Sequence, residues 1–331
     1  MHENEAWVLY QKPNETRQYL LKSGKGNAQF CMTSFLGNQT VSISGTVEIF
    51  QDQLAEPTEW KSVPFPASTQ QESHLQKVKE IVELIRSGEI HKIVLSKVAQ
   101  IKHESIHLVQ LFKALCKAYP KAFNYVCYHP ESGIWSGATP EILLQRKHKQ
   151  FTTVALAGTR IEDGKSTWSE KEYQEQVIVK DYILKELIKA KVESIHVSEL
   201  SEAQNGHLRH LKNTLTFTHH GPEKSLLQAL HPTPAVCGTP KQVAQDIIER
   251  LEAHDRHYYT GYLSLISNQD EADYYVNLRC MQVSKNVSLL YAGGGITESS
   301  DPIKEWNELL TKTKILKDVI LSLQNNTHVQ R

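Results

Sequence analysis

The residues best suited to chemistry in this 331-residue chain are two pairs of glutamates, Glu172 with Glu175 and Glu305 with Glu308. Each pair is spaced i, i+3 in a segment that reads as helix, so both carboxylates of a pair share one helix face. Hard divalent cations such as Mg2+ take oxygen ligands and often keep part of their water shell. Two such helices facing each other across a cleft would hold a metal together with an acidic substrate. Each pair also has a simpler use. Ser169 and Glu172 have the spacing of a capping box, and Glu308 precedes Lys312 by four residues, the favourable order for a helix-surface ion pair. The run Tyr291-Ala292-Gly293-Gly294-Gly295-Ile296 offers backbone N–H groups for an anion-binding nest, or a strand exit that uses glycine for its φ freedom. It lacks the glycine that a dinucleotide fingerprint needs where Glu298 stands, and no Walker loop occurs, which argues against a nucleotide cofactor. His254-x-x-His257 and His219-His220 lack the flanking residues of a zinc pattern and read as surface or packing histidines. Neither a G-x-S-x-G elbow nor a cysteine signature for covalent catalysis is present.

The elements that must position these residues are partly legible. Thr69 and Glu72 have capping-box spacing ahead of Leu75, Val78, Ile81, Val82 and Ile85, which predicts a helix ending before Gly88. From Ile90 to Val98 the chain is β-branched and alternating. Ile93, Leu95 and Ala99 fall on one face, and Lys92, Val94, Ser96 and Val98 on the other, so Lys92 shares a face with apolar neighbours. Strands are expected around residues 123–129, 142–146, 151–157, 261–266, 272–281 and 287–292. Helices are expected over about 169–191, 226–230 and 240–253, with a last one starting at Asp301-Pro302, an N-cap residue with proline in the first helical position. Strands in neighbouring runs, rather than in strict alternation with helices, predict an α+β fold with antiparallel sheets. The stretch Gln51 to Gln71, with Pro57, Pro64 and Pro66, is linker-like. It divides an N-terminal strand region and linker, residues 1–70, from residues 71–331 within one fold.

Lys+Arg and Asp+Glu both number 37, so no global field would hold nucleic acid or an anionic membrane surface. Five scattered cysteines without a C-x-x-C pair suit a reducing compartment. The polar, acidic N-terminus is unlike a signal peptide, and no apolar run approaches the roughly 20 residues of a membrane span. A cytoplasmic enzyme is the expectation.

Eight segments, in order from about residue 70 to the C-terminus, resemble the chorismate-utilising enzymes, and among them the isochorismate synthases. They are His91-Lys92-Ile93-Val94-Leu95-Ser96, Gly137-Ala138-Thr139-Pro140-Glu141, Ala155-Leu156-Ala157-Gly158-Thr159-Arg160, Lys171-Glu172-Tyr173-Gln174-Glu175, Leu230-His231-Pro232-Thr233-Pro234-Ala235, Asn277-Leu278-Arg279-Cys280, Ala292-Gly293-Gly294-Gly295-Ile296 and Ser300-Asp301-Pro302-Ile303-Lys304-Glu305-Trp306. The resemblance implies a single α+β domain with two large antiparallel sheets packed on each other and helices outside. It implies Lys92 as the general base that deprotonates the water attacking C2 of chorismate, and Glu141 as the general acid for the departing C4 hydroxyl. A lysine among apolar neighbours is expected to have its pKa lowered and a desolvated glutamate to have its pKa raised, which suits both roles. Glu175 and Glu308 would ligate Mg2+, with Glu305 and Glu172 as further ligands or partners of its waters. The metal would bind the ring carboxylate of the substrate, with His210 near that ring and Thr159 in its pocket. Arg279, Lys312 and the backbone of Gly294 and Gly295 would take the enolpyruvyl carboxylate.

Within that family, the ammonia-using branches typically lack a lysine where Lys92 stands. Aminodeoxychorismate synthases tend to carry a nucleophilic lysine where this chain has Ala157. Both differences argue against amination, and no amidotransferase partner is expected; a monomer is. Salicylate synthase, which continues by eliminating pyruvate, is the alternative activity. A non-catalytic binding protein is the alternative from another class, but its mark would be loss of base, acid or metal carboxylates, and all are present. The product would serve a menaquinone or a siderophore pathway. Two departures stand out: no family motif falls before Gln71, which suggests a trimmed or rearranged first sheet, and Thr260 beside Gly261 replaces a pair of glycines at the pocket edge.

Overall fold

Trp7–Gln11 is buried along its whole length because layers cover both of its faces. Val8 and Tyr10 join Phe30, Met32, Tyr125 and Tyr275 in the core between two sheets. Trp7 and Leu9, one residue out of phase, pack outward against Phe112, Leu115 and Leu316. A strand covered on both faces shows no polar alternation, which is why the N-terminal region is hard to read by periodicity.

The computed structural model describes residues 5–57, 60, 65–162, 167–205 and 208–329. The chain begins with β1 (Trp7–Gln11), β2 (Tyr19–Lys22), β3 (Ala28–Thr33), β4 (Thr40–Gly45) and β5 (Val47–Ile49). Next come α1 (Gln71–Arg86), β6 (Lys92–Lys102), α2 (Leu108–Ala118), β7 (Phe123–His129), β8 (Gly133–Thr139), β9 (Ile142–Lys147) and β10 (Gln150–Ile161). They are followed by α3 (Glu170–Lys189), β11 (Glu193–Val197), β12 (Ser201–Asn205), β13 (Leu208–Thr218), α4 (Glu223–Leu230), β14 (Gly238–Thr239) and α5 (Lys241–Leu251). The chain ends with β15 (Tyr262–Ile266), β16 (Glu271–Val276), β17 (Cys280–Val283), β18 (Val287–Ile296) and α6 (Pro302–Val329). One sheet has the order β14-β6-β18-β17-β8-β7-β1-β2-β5. The other runs β11-β13-β10-β9-β16-β15-β3-β4, with β12 also on β13. All pairings described are antiparallel, so the expected α+β architecture of two large antiparallel sheets with helices outside holds. None of the described helices is long and apolar enough to cross a membrane.

The N-terminal strands are built into both sheets. β1 lies between β7 and β2 in one sheet, while β3 pairs with β15 in the other, so residues 7–49 belong to both layers. The proline-bearing stretch, part of which, including Pro64, lies outside the described residues, seals an edge rather than separating two units. β6 has β18 along one side, but β14 covers only Lys92 and Ile93 on the other. The backbone groups beyond them must find partners elsewhere. Ser68 Oγ accepts from Gln100 N at 2.9 Å, Thr69 Oγ1 accepts from Val98 N at 3.1 Å, and Glu252 Oε1 accepts from Ser96 N at 2.7 Å. Arg256 Nη2 donates to Val94 O at 2.6 Å. The capping box expected from Thr69 therefore does not form: the N-cap of α1 is Gln70, with no side-chain cap. The box at Ser169/Glu172 does form, and so does the expected N-cap at Asp301, whose Oδ1 accepts from Lys304 N.

Two expected strands change at the site. The segment expected as one strand over 272–281 is broken at Asn277 to Arg279, where the chain leaves one sheet for the other, with Arg279 at φ 47°. Asn277 anchors the crossing by accepting from the Tyr125 hydroxyl and donating to Tyr258 O. The triple glycine is not a nest. Gly293 to Gly295 continue β18 in register with Ser96, Leu95 and Val94, so their backbone is extended and laddered.

Arg256 and Glu252 form a buried bidentate pair, 2.6 and 2.8 Å, that holds β6 to the segment before β15. Removing one partner leaves the other charge desolvated, so Arg256→Ala is expected to lower unfolding free energy by about 3–5 kcal/mol. Denaturant unfolding measures this; a loss under ~1 kcal/mol would show that the pair does not brace the strand.

Candidate active site

Lys92 opens β6 with its side chain on the face that looks between the layers, as its alternation with Ile93 predicts. It is almost completely buried, yet its surroundings are not simply apolar: Glu175 Oε2 of α3 lies 3.4 Å from its ammonium. The space for this pair comes from β18. A Cβ at position 295 would stand 2.8 Å from Glu175 Oε2 and 2.9 Å from Lys92 Cε, so any side chain there would push the ends of this pair aside. Gly294 faces the opposite way, toward Leu309 and Glu305 of α6. Their absent side chains, rather than a backbone nest, are what the structure uses.

Lys92 and Glu175 line a cavity of about 100 Å³ together with Glu141, Thr159, His210, Arg279, Gly295, Glu308 and Lys312. Residues from six strands or their ends and two helices, separated by up to 220 positions, thus meet in one place. Glu141, just before β9, is buried. Burial pushes its carboxyl up to about 8 against the opposing pull of Lys92, Lys312 and Arg279. His210 of β13 is held neutral: burial, then Arg279 and Lys312, push it down to about 3. Arg279 Nη2 donates to His210 Nε2 at 2.9 Å, which assigns the ring proton to Nδ1, and that nitrogen donates to Gly158 O at 3.0 Å. Thr159 Oγ1 is 3.3 Å from the same Nδ1. Thr159 reaches the cavity through a register shift between Ala157 and Arg160, with Gly158 at φ 68°. A Cβ on Gly158 would also meet Glu172 Cβ at 2.9 Å.

Arg279 is the clearest unsatisfied donor. Its Nη1 is buried without a hydrogen-bond partner, and burial lowers the guanidinium to about 10. A carboxylate in the cavity would satisfy it. Lys312 donates to Gly293 O at 2.9 Å and pairs with Glu308 at 2.7 Å.

The four glutamates divide. Glu175, Glu305 and Glu308 converge where α3 meets α6, and Lys171 links the helices by contacting Glu175 Oε1 at 3.3 Å and Glu305 Oε1 at 2.6 Å. Lys312 and Lys171 hold the half-buried Glu308 below the usual carboxylate range against its partial desolvation, whereas burial raises Glu305. Glu172 stands apart, its Oε2 committed to Ser169 N and Oγ at the start of α3. Among the described residues, no three acidic or imidazole groups lie close enough together to hold a metal as they stand.

Sequence reasoning gave no role to Lys171, Tyr259 or Tyr291. The two tyrosines stack at 5.3 Å in the cavity wall. Lys171 lies inside a recognised motif, and a lysine four residues before a glutamate on a helix was the available signal. Thr260 is fully buried in the cavity wall at φ 57°, a strained backbone for a β-branched residue, and its Oγ1 accepts from Arg256 at 3.3 Å. His254 is a packing histidine, 2.8 Å from Ser96 Oγ.

Residues 8–318 match the profile of the chorismate binding enzyme family, so the match includes the N-terminal strands in which no family motif was found. Isochorismate synthase EntC of Escherichia coli is 28% identical over 267 residues, 76% of this chain and 68% of its own. Isochorismate synthase MenF of Haemophilus influenzae is 31% identical over 71% of this chain, which spans 57% of that protein. In fold, the structure is similar to a 2,3-dihydroxybenzoate-specific isochorismate synthase, DhbC, of Bacillus anthracis, with a TM-score of 0.83, 23% identity and 98% of each chain covered. It also resembles anthranilate synthase component I of Streptococcus pneumoniae, with a TM-score of 0.71 and 17% identity over 94% of this chain and 92% of that one. With a profile match over nearly its whole length and the matched motifs gathered around one cavity, the chain belongs to the chorismate binding enzyme family.

Proposed function

We propose that this protein is an Mg2+-dependent isochorismate synthase acting as a monomer in the cytoplasm, without an amidotransferase subunit. The observation that carries the reading is the pairing, in one cavity, of a buried lysine with a buried carboxyl that stays protonated near neutrality. The names of the relatives support the same activity. The oxygen-rich set Glu175, Glu305 and Glu308 suits a hard divalent cation, and Glu305 Oε2 is buried without a hydrogen-bond partner. These three would hold Mg2+, with Glu172 acting at most through water. When bound, the metal supplies positive charge for the ring carboxylate of chorismate.

Lys92, once its ammonium has released a proton to solvent, accepts as the free amine a proton from the water whose oxygen bonds to C2. The ring double bonds shift, the C4–O bond breaks, and Glu141 gives its proton to the departing hydroxyl. One water enters and one leaves, so substrate and product have equal mass. Arg279 Nη1 and Lys312 hold the enolpyruvyl carboxylate, and neutral His210 with Thr159 borders the ring.

Incubation of the purified protein with chorismate and Mg2+, without ammonia, is expected to give a reversible mixture of chorismate and an isomer of equal mass. Salicylate with pyruvate would instead establish the salicylate synthase alternative, and unchanged chorismate would sink the enzymatic reading. Lys92→Gln is expected to lower turnover by about 10²–10⁴-fold, with chorismate binding largely retained; equal loss of both would make Lys92 structural. Glu141 must be protonated to donate, so turnover should fall as pH rises through about 8. Isomerisation that is level between pH 7 and 9.5 would exclude Glu141 as the acid. Glu308→Gln should remove turnover together with its Mg2+ dependence, and undiminished activity would refute that ligand.

A further inference from the structure

The ammonium of Lys171 stands among the carboxylates assigned above to the metal, bridging Glu175 on its own helix and Glu305 on the facing one. Three carboxylates at this junction, Glu175, Glu305 and Glu308, face three lysines, Lys92, Lys171 and Lys312, each in an ion pair. Charge is therefore already matched, and a divalent ion placed between the helices would meet an ammonium at close range. One lysine has to yield, and the structure distinguishes them. The Lys92 side chain is 1% exposed and wedged against Gly295. Lys312 is tied to the Gly293 carbonyl as well as to Glu308. Lys171, at 17% as open to solvent as Lys312 at 21%, sits in the first turn of α3 and makes only the two carboxylate contacts, with no backbone carbonyl to hold it.

We propose that Lys171 is an internal counter-cation that competes with the divalent metal: it cross-links α3 and α6 through Glu175 and Glu305, and swings toward solvent when the metal takes those oxygens. This rests on the metal reading above and adds the residue that sets cation affinity. A lysine that merely stabilised the fold would not couple its position to metal binding. A lysine that helped to hold the metal's waters would strengthen binding rather than oppose it.

Mn2+ titration followed by electron paramagnetic resonance reads the affinity directly, without turnover. Lys171→Gln and Lys171→Met, two neutral replacements, should bind Mn2+ at least about tenfold more tightly than the parent chain, and Lys171→Arg should stay near it. Lys304→Gln removes the same charge from an exposed position beside Glu305 and should change affinity by less than about twofold. In the unaltered chain, acetylation of Lys171 by acetic anhydride, followed by peptide mass spectrometry, should increase when Mg2+ is added. Mn2+ bound equally or more weakly by both neutral variants, or labelling of Lys171 that falls on Mg2+ addition, would overturn the competition and leave the metal site standing. Absence of Mn2+ binding in every form would overturn the metal reading and this inference together.

Discussion

The Lys92 ammonium, with 1% of its side chain exposed, must find its balancing charge inside the protein. That requirement fixes much of what surrounds it. Glu175 has to arrive from a helix on the far layer, and a glycine has to stand at position 295 so that the two can approach. β18 has to keep its register with β6 so that the glycine lies where the gap is needed. Because β6 is nearly an edge strand at this point, its outer backbone groups are closed by Cys237 O, Arg256, Glu252, Thr69 and Ser68 instead of by a full neighbouring strand. Side-chain partners hold the strand in place while leaving its beginning beside a cavity.

The rest of the cavity depends on a single change of layer. Between β16 and β17 the chain passes from one sheet to the other at Asn277 to Arg279. Arg279 stands outside both strands, at φ 47°, where the chain passes between the sheets. The crossing puts the guanidinium beside His210, fixes that ring as a neutral Nδ1–H tautomer, and leaves Nη1 free for an anion. The same enclosed surroundings keep Glu141 protonated. Its three cationic neighbours, Lys92, Lys312 and Arg279, favour its ionised form, yet desolvation outweighs them. The two groups thus stand in different surroundings: the carboxyl is held neutral by burial, and the lysine lies against a carboxylate of its own.

How much of this was readable without the fold differs residue by residue. Helix α2 escaped recognition because its first N–H is capped by Glu56, which lies 52 positions upstream and accepts from Leu108 at 2.7 Å, and no local cap announces the start. Thr69 and Glu72 had the spacing of a cap, but the threonine oxygen was needed at the edge of β6, a tertiary demand that overrode the local signal. The triple glycine was legible as special yet ambiguous in use, since its meaning lies in what approaches each missing Cβ.

The sequence by itself determined the local periodicities: the face of β6 that carries Lys92, the shared helix faces of Glu172 with Glu175 and Glu305 with Glu308, the starts of α3 and α6, and the family motifs in their order. These follow from repeats of two and 3.6 residues and from capping chemistry, which act over a few positions. Only the tertiary structure decided which faces meet: that Lys92 lies against Glu175, that Arg279 turns into the cavity, and that Lys171 bridges α3 and α6. Contacts between residues far apart in the chain, such as Arg279 with His210, 69 positions apart, and Lys171 with Glu305, 134 apart, are set by strand pairing and layer packing, and no short-range pattern encodes them.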